Sequence, residues 1–170
     1  MDKPQDFPRL DALQSDAPKI ALRAVSIGTV ASLCVFGALG VLGRREARSA
    51  VAPINATSHV LYGDRAGVVE DIDISHTGVG SVINHGASIF WALPFTWWLS
   101  QTRNRSASRI ALAAATTATV AGAVDYGLVP RRLSPGWEHA VPPRSVAMTF
   151  GSLAVGLALG ALVTRRLDRR

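Results

Sequence analysis

Apolar and polar positions along this chain are gathered into long blocks rather than interleaved. From Thr77 to Leu99 it reads TGVGSVINHGASIFWALPFTWWL, 23 residues without Asp, Glu, Lys or Arg. As a helix this block would reach about 34 Å, enough to cross a bilayer core. Three further blocks share its character. Residues 20–43 are broken only by Arg23, residues 109–129 carry only Arg109 and Asp125, and residues 145–164 carry no charge. A soluble core helix alternates a polar and an apolar face, so uninterrupted blocks of this length predict membrane spans instead. The expected fold class is all-α: a four-transmembrane-helix bundle with spans near 20–43, 77–99, 109–129 and 145–164.

The segments between the blocks predict the rest. Residues 1–19 hold Pro4, Pro8, Pro18 and mixed charges, the composition of a flexible tail. Residues 20–170 then form a single membrane domain. In the first connection Pro53 opens and Gly63 closes a short helix over about 53–62. That helix is expected on the membrane surface or re-entering the bundle. Asp73 or Ser75 would cap the helix that follows. The third block is rich in Ala and Thr, whereas lipid-facing helices favour Leu, Ile and Phe, so it is expected to be packed among its neighbours. Trp97, Trp98 and Trp137 are expected as interfacial anchors.

Small residues predict where helices approach closely. Gly28 and Ser32 lie four apart in the first block, and Gly156 and Gly160 form a GxxxG pair in the fourth. Packing within the chain is the favoured reading of both, ahead of homodimerisation.

Charge then orients the bundle. The net charge is +6, and most of the arginines stand at the ends of apolar blocks. That placement answers to topology and to the lipid bilayer. No nucleic-acid-binding module accompanies it, so nucleic acid is excluded as a partner. A membrane protein partner or a second copy remains compatible. Four spans put both termini on one side, which collects eleven basic residues against seven on the other. The positive-inside rule makes that side, with both termini, cytoplasmic. A cleavable signal peptide fits poorly, because Arg44, Arg45 and Arg48 precede the AxA-like Ala50-Val51-Ala52. The single cysteine, Cys34, forbids an intrachain disulfide or a CxxC motif and reads as a small buried residue.

Candidate chemistry is confined to a few polar side chains. Gly78, Ser81, His85, Ser88 and Ala92 are spaced as one helix face, and so are Ala111, Ala114, Ala118, Ala121 and Asp125. His85 would lie about 12 Å, and Asp125 about 7.5 Å, from the outer ends of two antiparallel helices. They could therefore meet, with Asn84 and Tyr126 as further partners. An ionisable residue at such depth is costly and marks a functional hypothesis. The pair reads either as a polar clasp that sets helix register or as a proton relay or ligand counter-ion. His59, His76, His85 and His139 all fall towards the outer side and are the candidate ligands for a metal or haem. None of them has the spacing of HExxH. With no GxSxG, P-loop or dinucleotide fingerprint, no catalytic residue is assigned and an enzyme is not expected.

The segments PINATSH (53–59), HTGVGSVINHGASIFWA (76–92) and DYGLVPRRLSPGWE (125–138) resemble those of uncharacterised small multi-pass bacterial inner-membrane proteins, grouped as a domain of unknown function. The likeness covers about residues 50–165. It implies a bacterial inner-membrane location and assigns no activity. The leading expectation is a non-enzymatic protein of structural, accessory or stress-related role, with no cofactor. The alternatives are a small transporter or proton relay using His85 and Asp125, and a metal- or haem-binding membrane protein.

Overall fold

The computed structural model describes residues 10–102 and 105–167, and every regular element among them is helical. The all-α class therefore holds. In chain order the helices are α1 (Leu10–Glu46), the short α2 (Ala52–Ala56) and α3 (His59–Tyr62), α4 (Val79–Gln101), α5 (Ala107–Gly127) and α6 (Pro143–Leu167). Their ends follow local chemistry. Asp73, one of the two predicted caps, accepts the His76 backbone N–H ahead of a wide π-type turn, Ile74–Gly78, that feeds α4. The Ser106 hydroxyl accepts from the Arg109 N–H at the start of α5. Pro143 opens α6, where a missing N–H costs nothing.

The four long helices pack as a ring. α1 lies against α4 and α6, and α5 lies against the same two. Small residues set the register of this ring. A Cβ at Gly156 would lie 2.5 Å from the Ala31 Cα, and one at Gly160 would lie 2.9 Å from the Ile27 Cα. A Cβ at Gly28 would lie 2.6 Å from the Ile89 Cα. The Gly156 and Gly160 contacts make α1 antiparallel to α6, and the three contacts engage Gly28, Gly156 and Gly160 inside the chain. Ser32 is buried beside them. At the loop end Arg144 and Ser145 of α6 hold Glu46 of α1, with the Arg144 Nη2 2.9 Å and the Ser145 Oγ 2.7 Å from its carboxylate oxygens.

The outer faces of the bundle are apolar. Leu22, Leu33, Val82, Phe90, Leu112 and Val155 all point away from the core. Among the described residues three helices, not four, are long and apolar enough to cross a membrane: Ala17–Glu46, Ala107–Gly127 and Pro143–Leu167. The fourth expected span, α4, falls short of that measure. That helix has 23 residues and no charge, yet Asn84, His85, Pro94 and several hydroxyl side chains dilute its apolar content. Freedom from charge is a weaker property than apolarity.

Other expectations also change. The helix α1 already begins at Leu10, inside the segment read as a flexible tail. The first nine residues of that tail, together with Arg103, Arg169 and Arg170 of the charge count, lie outside the described residues. The single helix expected over 53–62 is broken at Thr57 and Ser58 into α2 and α3. The Ala-rich α5 is not enclosed, since 28% of its most apolar stretch is buried against 39% in α1 and 33% in α6. Its alanines let neighbours approach on one face only. Ala113, Ala114, Ala118 and Ala121 are buried there, while Leu112 and Val120 face outward. Trp137 is buried with its ring 5.3 Å from that of Phe150, and so is not an interfacial anchor, whereas Trp97 and Trp98 are exposed. Cys34 is half-buried.

Candidate functional site

The two loops at one end of the bundle fold inward and carry most of the polar structure. Asn55, on α2, is fully buried. Its Nδ2 donates to the carbonyls of Val69 at 2.8 Å and Asp71 at 3.0 Å, and its Oδ1 accepts from the Thr77 hydroxyl at 2.7 Å. One side chain thus ties residues 69–77 across the end of the bundle. Next to it the Asn84 Nδ2 of α4 donates to the Thr57 Oγ1 at 2.8 Å, with both residues buried. Gly80 makes this seat accessible, because a Cβ there would run into the Ile54 carbonyl.

Residues 128–142 form the second wall. The Tyr126 hydroxyl donates to the Glu138 Oε2 at 2.7 Å, and the Ser134 hydroxyl lies 3.0 Å from the Glu138 Oε1. The His59 Nε2 is 2.9 Å from the Ser134 carbonyl. A carbonyl only accepts, so the proton of this imidazole sits on Nε2 and its Nδ1 presents a lone pair. The Arg132 Nε donates to the Val60 carbonyl at 3.1 Å, a second tie between the loops.

Between these walls opens a cleft of about 630 Å³, lined by His59, Asp64, Asp125, Tyr126, Glu138 and His139 along with Arg131 and Arg132. A smaller cavity of about 90 Å³ lies deeper, lined by Thr57, Asn84, Ser88, Trp91 and Asp125 among others. Asp125 borders both spaces and faces the Trp91 indole. His59, Asp64 and His139 converge at the cleft. The Asp64 Oδ1 is 3.9 Å from the His59 Nδ1 and 3.7 Å from the His139 Nε2, and the two rings stand 5.2 Å apart.

Of the four side chains expected at an intramembrane site, three border these spaces: Asn84, Asp125 and Tyr126. His85 lines neither, and among the described residues no hydrogen bond or ion pair joins it to Asp125. The reason lies in which face of α4 is buried. The buried residues of α4 include Gly80, Asn84, Ser88 and Ala92. Gly80 and Asn84 stand one position before the expected Ser81 and His85, about 100° away around the helix, while Ser88 and Ala92 belong to both series. The polar tie is therefore Asn84 to Thr57, not His85 to Asp125. On α5 the expected face is correct from Ala114 through Ala121 to the half-buried Asp125.

The histidines also separate. His76 stays local, with its Nδ1 2.8 Å from the Asp73 Oδ2 and its ring 5.0 Å from that of Tyr62. Its backbone N–H and its ring hold the Asp73 carboxyl below the ordinary value of 3.8. His59 and His139 meet in the cleft, and with Asp64 they form the one grouping of three His, Cys, Asp or Glu side chains, among the described residues, whose ligand atoms lie within 4.8 Å of one another. Sequence reasoning missed Asn55, Thr57, Asp64, Ser134 and Glu138. A signal was present for the first two, because Asn55, Thr57, Ser58 and His59 are too polar a run for the core-facing side of a surface helix.

No family model, curated protein or solved structure matches the chain. Its functional reading therefore comes from the geometry of the cleft.

Proposed function

We propose that this chain is a small four-pass bacterial inner-membrane protein of non-enzymatic, accessory role, whose loop end binds a small polar ligand or ion. The cleft carries the reading: two loops distant in sequence and the end of α5 bring carboxylates, imidazoles and a phenol around one space of about 630 Å³. Pockets of this size with a few convergent polar groups are the usual form of small-molecule sites.

The fourth crossing is supported by connectivity. If α1, α5 and α6 cross, α1 ends at the loop end and α5 begins at the opposite end, so the chain between them must traverse, and among the described residues α4 is the only helix there long enough. Gly28 on Ile89 and Gly80 on Ile54 follow that traverse along α1 and into the cap. Basic residues favour cytoplasmic termini, which turns the cleft outward. A relay reading has less support, because it needs His85 and Asp125 joined.

Two experiments test this. Alkaline phosphatase fused after Glu138 should be active and fused after Thr102 inactive; the reverse pattern would overturn the orientation. Purified wild type equilibrated with a polar small-molecule extract should retain a solute that Val129→Trp, which fills the cleft, no longer retains. Equal retention by both proteins would remove the binding role.

A further inference from the structure

We propose that the His59 Nδ1, the Asp64 carboxylate and the His139 Nε2 bind a divalent metal ion of the zinc class at the cleft; this names the ligand chemistry of the site and rests on the reading above. Three observations carry it. The first is tautomer control. The His59 Nε2 gives its proton to the Ser134 carbonyl at 2.9 Å, which directs the Nδ1 lone pair to the side where Asp64 and His139 lie. Histidine ligands of metals are commonly held in this way, with the second nitrogen donating to a backbone carbonyl. Ser134 is itself steadied by Glu138, and Glu138 by Tyr126.

The second is spacing. The separations of 3.9 Å and 3.7 Å to the Asp64 oxygen are too long for hydrogen bonds. One nitrogen of each histidine and an Asp64 oxygen nevertheless lie within 4.8 Å of one another. Donors around one tetrahedral ion with bonds near 2.1 Å stand about 3.4 Å apart, so a modest contraction closes the set. Asp64 can close its share of the gap, since its side chain is 83% exposed, and rotation of the half-buried His139 ring closes the rest.

The third is support. Gly136, at φ +78°, packs its backbone against the His59 ring, and Gly67 packs against His139; a Cβ at either position would collide with the histidine. Both ligands are thus backed by main chain. Two imidazoles and one carboxylate suit borderline first-row cations better than calcium or magnesium. Three protein ligands leave a fourth position open to the cleft. Arg131 and Arg132 also line the cleft, but the Arg132 Nε is committed to the Val60 carbonyl, and the Glu138 carboxylate lies 4.0 Å from the His139 Nε2.

The test is calorimetric titration of zinc into the untagged, chelator-stripped full chain in detergent, repeated with cobalt to read its visible absorption. One ion per chain is expected, with cobalt bands of a four- or five-coordinate site. Asp64→Ala and His139→Ala should each weaken binding at least about tenfold. His76→Ala, which alters a histidine outside the cluster, should leave it unchanged. Asp64 is exposed, so its variant should fold even if a change at the buried His59 does not. Absence of stoichiometric binding, or binding by the Asp64→Ala and His139→Ala variants as tight as by wild type, would overturn the proposal. Solute retention with no zinc binding would remove the metal and leave the cleft reading standing, whereas loss of both would remove both.

Discussion

Asn55 offers the sharpest test of how the loop end is built. Replacing it with Ala removes two donors and one acceptor at once: the bonds to the Val69 and Asp71 carbonyls and to the Thr77 hydroxyl. Each ordinary hydrogen bond contributes about 1 kcal/mol net. Val69 and Asp71 lie nearer the surface and regain water, so no large penalty for stranded carbonyls is added. The expected loss is about 3 kcal/mol, which for a chain of this size lowers the melting midpoint by roughly 6–12 °C. Asn55→Asp keeps the shape but turns a carboxylate towards two carbonyls. It should cost at least as much as Ala. Thr77→Val removes two bonds, the one donated to the Asn55 Oδ1 and the one accepted from the Asp73 N–H, and should cost about 2 kcal/mol. Because Asn55 and Thr77 share the first of these bonds, the double variant should cost about 1 kcal/mol less than the sum of the singles. Tryptophan fluorescence during heating in detergent reads the midpoint, and trypsin cleavage at Arg65 reads release of the loop. A midpoint shift under about 2 °C for Asn55→Ala, or a milder effect for Asn55→Asp, would refute the account of Asn55 as the tie that holds this loop.

Four further outcomes are expected. Asn84→Leu should destabilise by about 1–3 kcal/mol, because it strips the buried Thr57 hydroxyl of its partner. His85→Leu should stay within about 0.5 kcal/mol in the same melting assay; a large loss there would restore the clasp on His85. Gly156→Ile places a branched side chain against the Ala31 backbone and should cost about 3 kcal/mol or more, while full tolerance would take α6 off α1. Asp73 has its carboxyl below 3.8 in the folded chain because His76 donates to it. Its contribution is therefore present above the unfolded value and lost as pH falls through the lower folded one. Asp73→Asn should flatten that part of an acid melting series, and an unchanged profile would deny the cap its role.

Much of the bundle was legible because its cause is local. Long blocks without charge must be helical in an apolar setting, and the helix bounds follow those blocks to within a few residues, apart from the early start of α1. Gly156 and Gly160 announced a close seam for the same reason, since only small residues admit another backbone. The faces of α4 were less legible. Its Ser, Asn, His and Gly positions make several small stripes of similar quality, and a turn of one residue decides which is buried. Packing against α2 selected Asn84, because Gly80 lets the Ile54 carbonyl in on that side.

The cleft was decided by tertiary structure. His59 and His139 are eighty positions apart in the numbering, and nothing local relates them. They meet because Asn55 draws one loop down, Arg132 and Ser134 join it to the other, Gly136 lets main chain back the His59 ring, and Gly67 lets main chain against the Cβ and backbone of His139. Hydrophobic blocks and charge bias, both readable from composition, determined a helical bundle suited to a membrane. Which polar side chains share a space depended on helix rotation and loop closure, and those are settled by long-range contacts that no short stretch of sequence contains.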